Sequence, residues 1–193
     1  MSRYFDNDPN LKDDKKIIKI KIKNNEYSFY TNNGVFSKDK LDYGTRLLLE
    51  NLKELYEDIL DLGCGYGIIG TVLSKDKNLK IDMVDINERA IELAKENAKL
   101  NNCNNVNIFK SNIYENINKK YNFIITNPPI RAGKDVLREI LFGAKDYLKD
   151  TGELWFVMRK DHGVKTMIKE LEAFYKIEIV AKGKGFYVVR CIK

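Results

Sequence analysis

Short apolar runs near residues 57–62, 80–85, 106–110, 121–126, 153–158, 176–182 and 185–192 recur along this chain, and helix-like segments near 67–75, 87–101, 133–149 and 161–173 separate most of them. Strands spaced by helices pair as a parallel sheet with right-handed crossovers. The last two runs are joined only by Lys182-Gly183-Lys184-Gly185, too short for a crossover. The final strand must therefore run antiparallel to its neighbour. A doubly wound dehydrogenase would ordinarily need another helix there. Upstream, residues 15–23 and 26–31 read as a hairpin around Asn24-Asn25, residues 34–43 as a loop, and residues 44–53 as a helix with a stripe at Leu47, Leu48 and Leu52. The chain is thus expected to be α/β, with a mostly parallel seven-stranded sheet, an antiparallel C-terminal strand and a short N-terminal β-hairpin.

Two segments at strand ends carry chemistry. After Asp58-Ile59-Leu60 comes Asp61-Leu62-Gly63-Cys64-Gly65-Tyr66-Gly67, followed by a helix-like stretch from Ile68. Glycines there permit positive φ and close ligand approach, and the helix start offers free NH groups. Gly65-Tyr66-Gly67-Ile68-Ile69-Gly70 also fits GxGxxG, which alone is a weak signal. Asp61 argues against a dinucleotide, because a carboxylate before the turn would repel a pyrophosphate yet could hold the amino group of a cationic cofactor. Asp85 ends the next run, where ribose hydroxyls are held in either cofactor class. S-adenosylmethionine meets both demands.

The second segment, Asn127-Pro128-Pro129-Ile130, closes the run Tyr121–Thr126. An Asn oxygen and the carbonyls of two prolines leave acceptors for an amino group. Accepting both protons of a planar NH2 pushes its nitrogen toward tetrahedral geometry and makes it nucleophilic, with no titrating base required. Pro-Pro alone would equally well mark an ordinary turn. The glycine turn beside it tips the reading toward chemistry.

The turn Asp61–Gly67, Asp85, Ser111-Asn112 and Asn127–Ile130 together resemble the Rossmann-like class I S-adenosylmethionine-dependent methyltransferases that modify amino nitrogens. Gly34-Val35-Phe36-Ser37 and Leu41-Asp42-Tyr43-Gly44-Thr45 narrow the resemblance to the RsmC-like small-subunit ribosomal RNA guanine-N2 methyltransferases and their archaeal relatives. The resemblance runs from about Gly34 to the C-terminus. It implies a hairpin extension at 1–33 and a methyltransferase domain at 34–193. It also implies cofactor contacts from Asp61, Gly63, Gly65, Gly67, Asp85, Ile86, Asn112 and Asn127, and catalysis by Asn127 through Ile130. Asn112 would meet the adenine; read by itself, it could equally cap the segment from Ile113. Phe36 and Tyr43 would belong to a loop closing on the cofactor, and Asp42 or Thr45 would cap the helix that follows. Longer members carry a degenerate second copy of the domain in front. Many amino-methylating enzymes place an aromatic residue after NPP, where this chain has Ile130.

The implied partner is ribosomal RNA or the small-subunit particle, with adenine N6, a protein glutamine amide, or non-catalytic RNA binding on the same fold as alternatives. The net charge of +6 is modest for nucleic-acid binding, because acids intersperse the basic residues. Arg131, Lys134 and Arg138 follow NPP at helical spacing and are the substrate-side candidates with Phe36; Arg159-Lys160 end a later strand. Lys19, Lys21 and Lys23 alternate with isoleucine, giving one basic face that either touches RNA phosphates or guards an edge strand. The three cysteines, Cys64, Cys103 and Cys191, lack a CxxC pair, so neither a disulfide framework nor a metal site is expected, and Cys64 reads as a small buried residue. His162, the one histidine, reads as a surface or capping residue. No run approaches the roughly 18 apolar residues of a membrane span, and Met1 to Lys16 is polar, which places the protein in the cytoplasm.

Overall fold

A computed structural model describes residues 14–193, so the first 13 positions of the expected 1–33 extension lie outside the described residues. Among the described residues, nine strands and five α-helices alternate much as the apolar runs predict: β1 Lys16–Ile22, β2 Asn25–Thr31, α1 Tyr43–Asn51, β3 Asp58–Leu62, α2 Ile68–Leu73, β4 Lys80–Asp85, α3 Glu88–Leu100, β5 Val106–Lys110, β6 Tyr121–Thr126, α4 Lys134–Tyr147, β7 Leu148–Arg159, α5 Val164–Leu171, β8 Lys176–Gly183 and β9 Phe186–Ile192. The main sheet has the order β5-β4-β3-β6-β7-β9-β8. All pairs are parallel except those of β9, which runs antiparallel to both β7 and β8, as the short link before it requires.

Both faces of the central strands β3, β4 and β6 and of most of β7 are buried, so these strands are apolar on both sides rather than on one. Ile59, Met83, Phe123, Ile125, Trp155, Val157 and Val188 face one core with α1, α2 and α3. Leu60, Leu62, Val84, Ile124, Leu154, Phe156 and Val189 face the other, under α4 and α5. Crossovers on both faces are what a parallel sheet demands.

Three boundaries differ from expectation, each for a local reason. The hairpin turns at Lys23 and Asn24, one residue early, with Lys23 at φ 52°. That register pairs Ile20 with Tyr27 and keeps Ile20, Ile22, Tyr27 and Phe29 on the buried side. β7 begins at Leu148 rather than near 153, because the fully buried Leu148 pairs with Tyr121 before a register shift. α5 starts at Val164, since Lys160–His162 form a 3₁₀ turn that Gly163 ends at φ 83°.

An isolated two-stranded hairpin is marginally stable. Here its inner face joins the core of α1 and α3, and its outer face carries exposed Lys19, Lys21 and Lys23. The edge of β2 is met by side chains in place of a strand. Asn97 of α3 accepts from Tyr30 N at 2.6 Å and donates to Tyr30 O at 2.9 Å, and Asn101 does the same for Ser28 at 3.3 and 2.8 Å. Asn97 also donates to Tyr66 O, inside the glycine turn, at 2.8 Å. It therefore couples hairpin and turn. Asn97→Ala leaves buried backbone groups unpaired at about 1–3 kcal/mol each. The expected loss is about 2 kcal/mol or more, seen as a fall in Tm of roughly 4–8 °C by calorimetry.

Candidate active site at the carboxyl ends of the strands

The order β4-β3-β6 puts the switch point of the topology between β3 and β6, the position where open α/β sheets bind ligands. Asp61 pairs with Ile125 across these strands, and Leu62 pairs with Val84 on the other side. The register thus brings the glycine turn, the Asp85 end of β4 and the Asn127 segment out side by side.

Gly63 N and Cys64 N both donate to Val84 O at 2.9 Å, folding the turn over the end of β4. Gly63, Gly65 and Gly67 have φ of 72°, 56° and 92°, a region that side chains disfavour. Packing adds a second demand at Gly67, where a Cβ would lie 2.9 Å from Met83 Cε and 3.1 Å from Ala94 Cβ. Asp85 is 3% exposed; it accepts from Gly65 N at 2.8 Å and from Asn87 N at 2.9 Å. Its carboxylate therefore ties the glycine turn to the start of α3, a structural duty that strand-end position alone did not reveal.

Asp61 is fully buried. One oxygen accepts from Gly70 N at 2.9 Å, while Oδ1 has no donor among the described residues. Burial pushes its carboxyl up to about 7, the Gly70 bond opposes the shift, and the charge of Asp85 adds to it. An acid in this position is relieved by a cationic donor, so the residue fits an ammonium group. Cys64 is buried beside it, and all three cysteines are free thiols.

Across the switch point, the Asn127 amide nitrogen donates to Thr45 Oγ1 at 2.8 Å and to Asp42 Oδ2 at 3.1 Å. Asn127 Oδ1 has no donor among the described residues and belongs to a half-buried side chain. The two prolines are not equivalent, which corrects the expectation of two free carbonyls. Ile130–Ala132 form a 3₁₀ turn in which Ala132 N donates to Pro129 O at 3.0 Å, so only the Pro128 carbonyl lacks a donor among the described residues.

The loop before α1 is strapped over this region. Asn87 donates to Gly34 O at 3.2 Å, Arg89 to Asn33 O at 3.1 Å and Tyr66 Oη to Ser37 O at 3.1 Å. Val35 is buried by this and Phe36 is left 53% exposed. Ile86 is half-buried after β4, and Asn112 lies exposed just after β5, with Ser111 N bonded to Asp85 O at 3.0 Å. The peptide oxygen of Asn112 accepts from Glu115 N at 3.0 Å in a turn, so the residue does not cap a helix.

The basic candidates divide. Arg131 and Lys134 are exposed next to the Asn127 segment and form no ion pair among the described residues. Arg138 instead lies on α4 in an ion pair with Glu170 of α5, its guanidinium 4.8 Å from the Phe142 ring, and so braces two helices. Arg159 pairs with Asp161 at 2.8 Å and lies 5.5 Å from the Phe186 ring. His162 is exposed in its 3₁₀ turn.

The methyltransferase small domain family matches residues 26–190, and the chain belongs to it. The uncharacterized protein YbxB of Bacillus subtilis is 40% identical over 98% of this chain and 98% of its own length. A ribosomal RNA small subunit methyltransferase C of Psychromonas ingrahamii is 33% identical over 92% of this chain and 52% of that protein. A putative protein N5-glutamine methyltransferase of Methanocaldococcus jannaschii is 34% identical over 72% of this chain and 81% of its length. Among solved structures, the T. thermophilus 16S rRNA N2 methyltransferase RsmC, in complex with AdoMet and guanosine, shares the fold with a TM-score of 0.83 at 24% identity, over 96% of this chain and 51% of that one. The chain spans about half the length of these two rRNA methyltransferases.

Asp61 generates a pH test. Its folded value of about 7 stands above the ordinary 3.8, so the folded protein binds the extra proton between them. The contribution of Asp61 to stability without ligand is therefore fully present below about pH 4 and is lost as pH rises through 7. The Tm of the wild-type protein, measured relative to Asp61→Asn, should fall across that window. A flat difference would show that Asp61 titrates normally.

Proposed function

We propose that this protein transfers a methyl group from S-adenosylmethionine to an exocyclic amino nitrogen of RNA, guanine N2 of small-subunit ribosomal RNA. The observation that carries the reading is the Asn127 amide, whose nitrogen is held by Asp42 and Thr45 while its oxygen and the Pro128 carbonyl stay open as acceptors. These two acceptors take the two protons of an amino group, draw its nitrogen out of conjugation and aim its lone pair. The nitrogen gains a methyl and releases one proton to water. The cofactor's contribution when bound is a methyl made electrophilic by its sulfonium.

The residues around it divide the work of holding that cofactor. Asp61 takes the α-ammonium with its unpaired Oδ1, a fit the orphaned buried oxygen supports. Gly63, Gly65 and Gly67 let the backbone approach, Asp85 takes the ribose, and Ile86 and Asn112 flank the adenine. Phe36 covers the mouth, while Arg131 and Lys134 meet RNA phosphates; Ile130 packs on the target ring in place of an aromatic residue. A target within a duplex is flipped out at a cost of a few kcal/mol. The partner is then the small-subunit particle or its RNA, in the cytoplasm. The division into an extension at 1–33 and a catalytic domain at 34–193 belongs to the same proposal.

A glutamine amide offers the same planar NH2, and the M. jannaschii relative keeps that second reading in view. Transfer of tritiated methyl to unmodified small-subunit particles, naked RNA and a protein extract separates them. The expected label is N2-methylguanosine. Label in N6-methyladenosine or in protein keeps the chemistry and overturns the guanine assignment. Asn127→Ala should lose about 100-fold or more in kcat at saturating cofactor, by analogy with removing one preorganised hydrogen-bonding group. Retained transfer in that variant would remove Asn127 from the mechanism.

A further inference from the structure

An amide presents nearly the same shape either way round, so the Asn127 side chain has two orientations with opposite chemistry. With oxygen toward the substrate it accepts an amino proton; turned over, it would set its own NH2 against the substrate's NH2. We infer that Asp42 and Thr45, at the start of α1, are positioning residues that lock the Asn127 amide with its nitrogen toward α1 and its oxygen toward the substrate. The inference rests on the methyl-transfer reading and extends it to residues that the motif at the end of β6 does not contain.

Asp42 decides the orientation. An ionised carboxylate can only accept, so the atom 3.1 Å from its Oδ2 must be the donor nitrogen. Thr45 Oγ1 accepts from the same amide nitrogen at 2.8 Å while its own hydroxyl donates toward Asp42 Oδ2 at 3.4 Å, so it too faces Asn127 as an acceptor. Turning the amide over would set two acceptors face to face at Asp42. The carboxylate is itself fixed, since the same Oδ2 accepts from Thr45 N at 2.9 Å as the N-cap of α1. Thr45 is 6% exposed, so solvent does not compete for its hydroxyl.

The rest of the Leu41–Thr45 segment serves this geometry. A Cβ on Gly44 would lie 2.9 Å from Asp42 Oδ2 and 2.8 Å from Phe186 Cε1, so only glycine admits both neighbours without displacing them. Tyr43 packs on Phe186 with ring centroids 5.7 Å apart, and Lys184 Nζ lies 4.8 Å from the centroid of the Tyr43 ring. The tip of the reversed β8–β9 hairpin therefore braces the start of α1, and α1 in turn sets the amide at the end of β6.

Helix capping and amide orientation separate experimentally. Asp42→Ser retains a capping oxygen but is too short to reach Asn127, whereas Asp42→Asn can offer its Oδ1 to the same donors. Steady-state methyl transfer should show kcat of Asp42→Ser down by about 100-fold, the loss expected for a misplaced group, with KM for the cofactor and Tm close to wild type. Asp42→Asn should recover most of that loss. The Asn127 side-chain amide signals, assigned by NMR through their absence in Asn127→Ala, should move further in Asp42→Ser, which loses the acceptor, than in Asp42→Asn, which keeps one. Wild-type kcat in Asp42→Ser, unmoved Asn127 signals, or an Asp42→Asn as slow as Asp42→Ser would each overturn the lock. If the wild-type protein methylates no amino acceptor, the proposed function falls, and the amide signals still decide the lock.

Discussion

The parallel pairing of β3 with β6, in the register that sets Asp61 against Ile125, is the constraint on which the site depends. These strands are neighbours in space and far apart in sequence, and the chain leaves each of them at the same end of the sheet. A glycine turn and an Asn-Pro-Pro segment meet there because of backbone ladder geometry alone. A slip of one residue would turn Asp61 and its apolar neighbours to the opposite core. Burial on both faces makes such a slip costly.

Upon that frame, buried polar groups do the local shaping. Asp85 ties the glycine turn to α3, Asn97 ties the same turn to the N-terminal hairpin, and Tyr66 ties it to the loop over the mouth. Each bond is intramolecular and satisfied, which makes the turn rigid before any ligand arrives. Asp61 is the exception. Its unpaired oxygen and raised carboxyl value store an electrostatic demand that a cation can relieve. The hairpin is thereby part of the support of the site as well as its neighbour in sequence.

Much of this was legible in the chain. Strand ends, glycine turn and reversed terminal strand follow from local patterns: short apolar runs spaced by helix-like segments, residues suited to positive φ, and a link too short for a crossover. Where the reading missed, the missing information was long-range. Pro129 O is engaged by a 3₁₀ turn that two prolines do not announce, and Arg138 finds Glu170 on another helix. Asp42 reads as a helix cap from its position, and it is one; that it also reaches Asn127, 85 residues away, required the fold.

The sequence by itself determined the α/β class, the strand order's reversed end and the two segments that had to face each other, because periodicity, glycine placement and link length act within a few residues. Only the tertiary structure decided which acceptors remain open and which way the Asn127 amide turns. Hydrogen-bond partners belong to atoms that approach through space, and an amide's orientation is set by whichever neighbour can only accept.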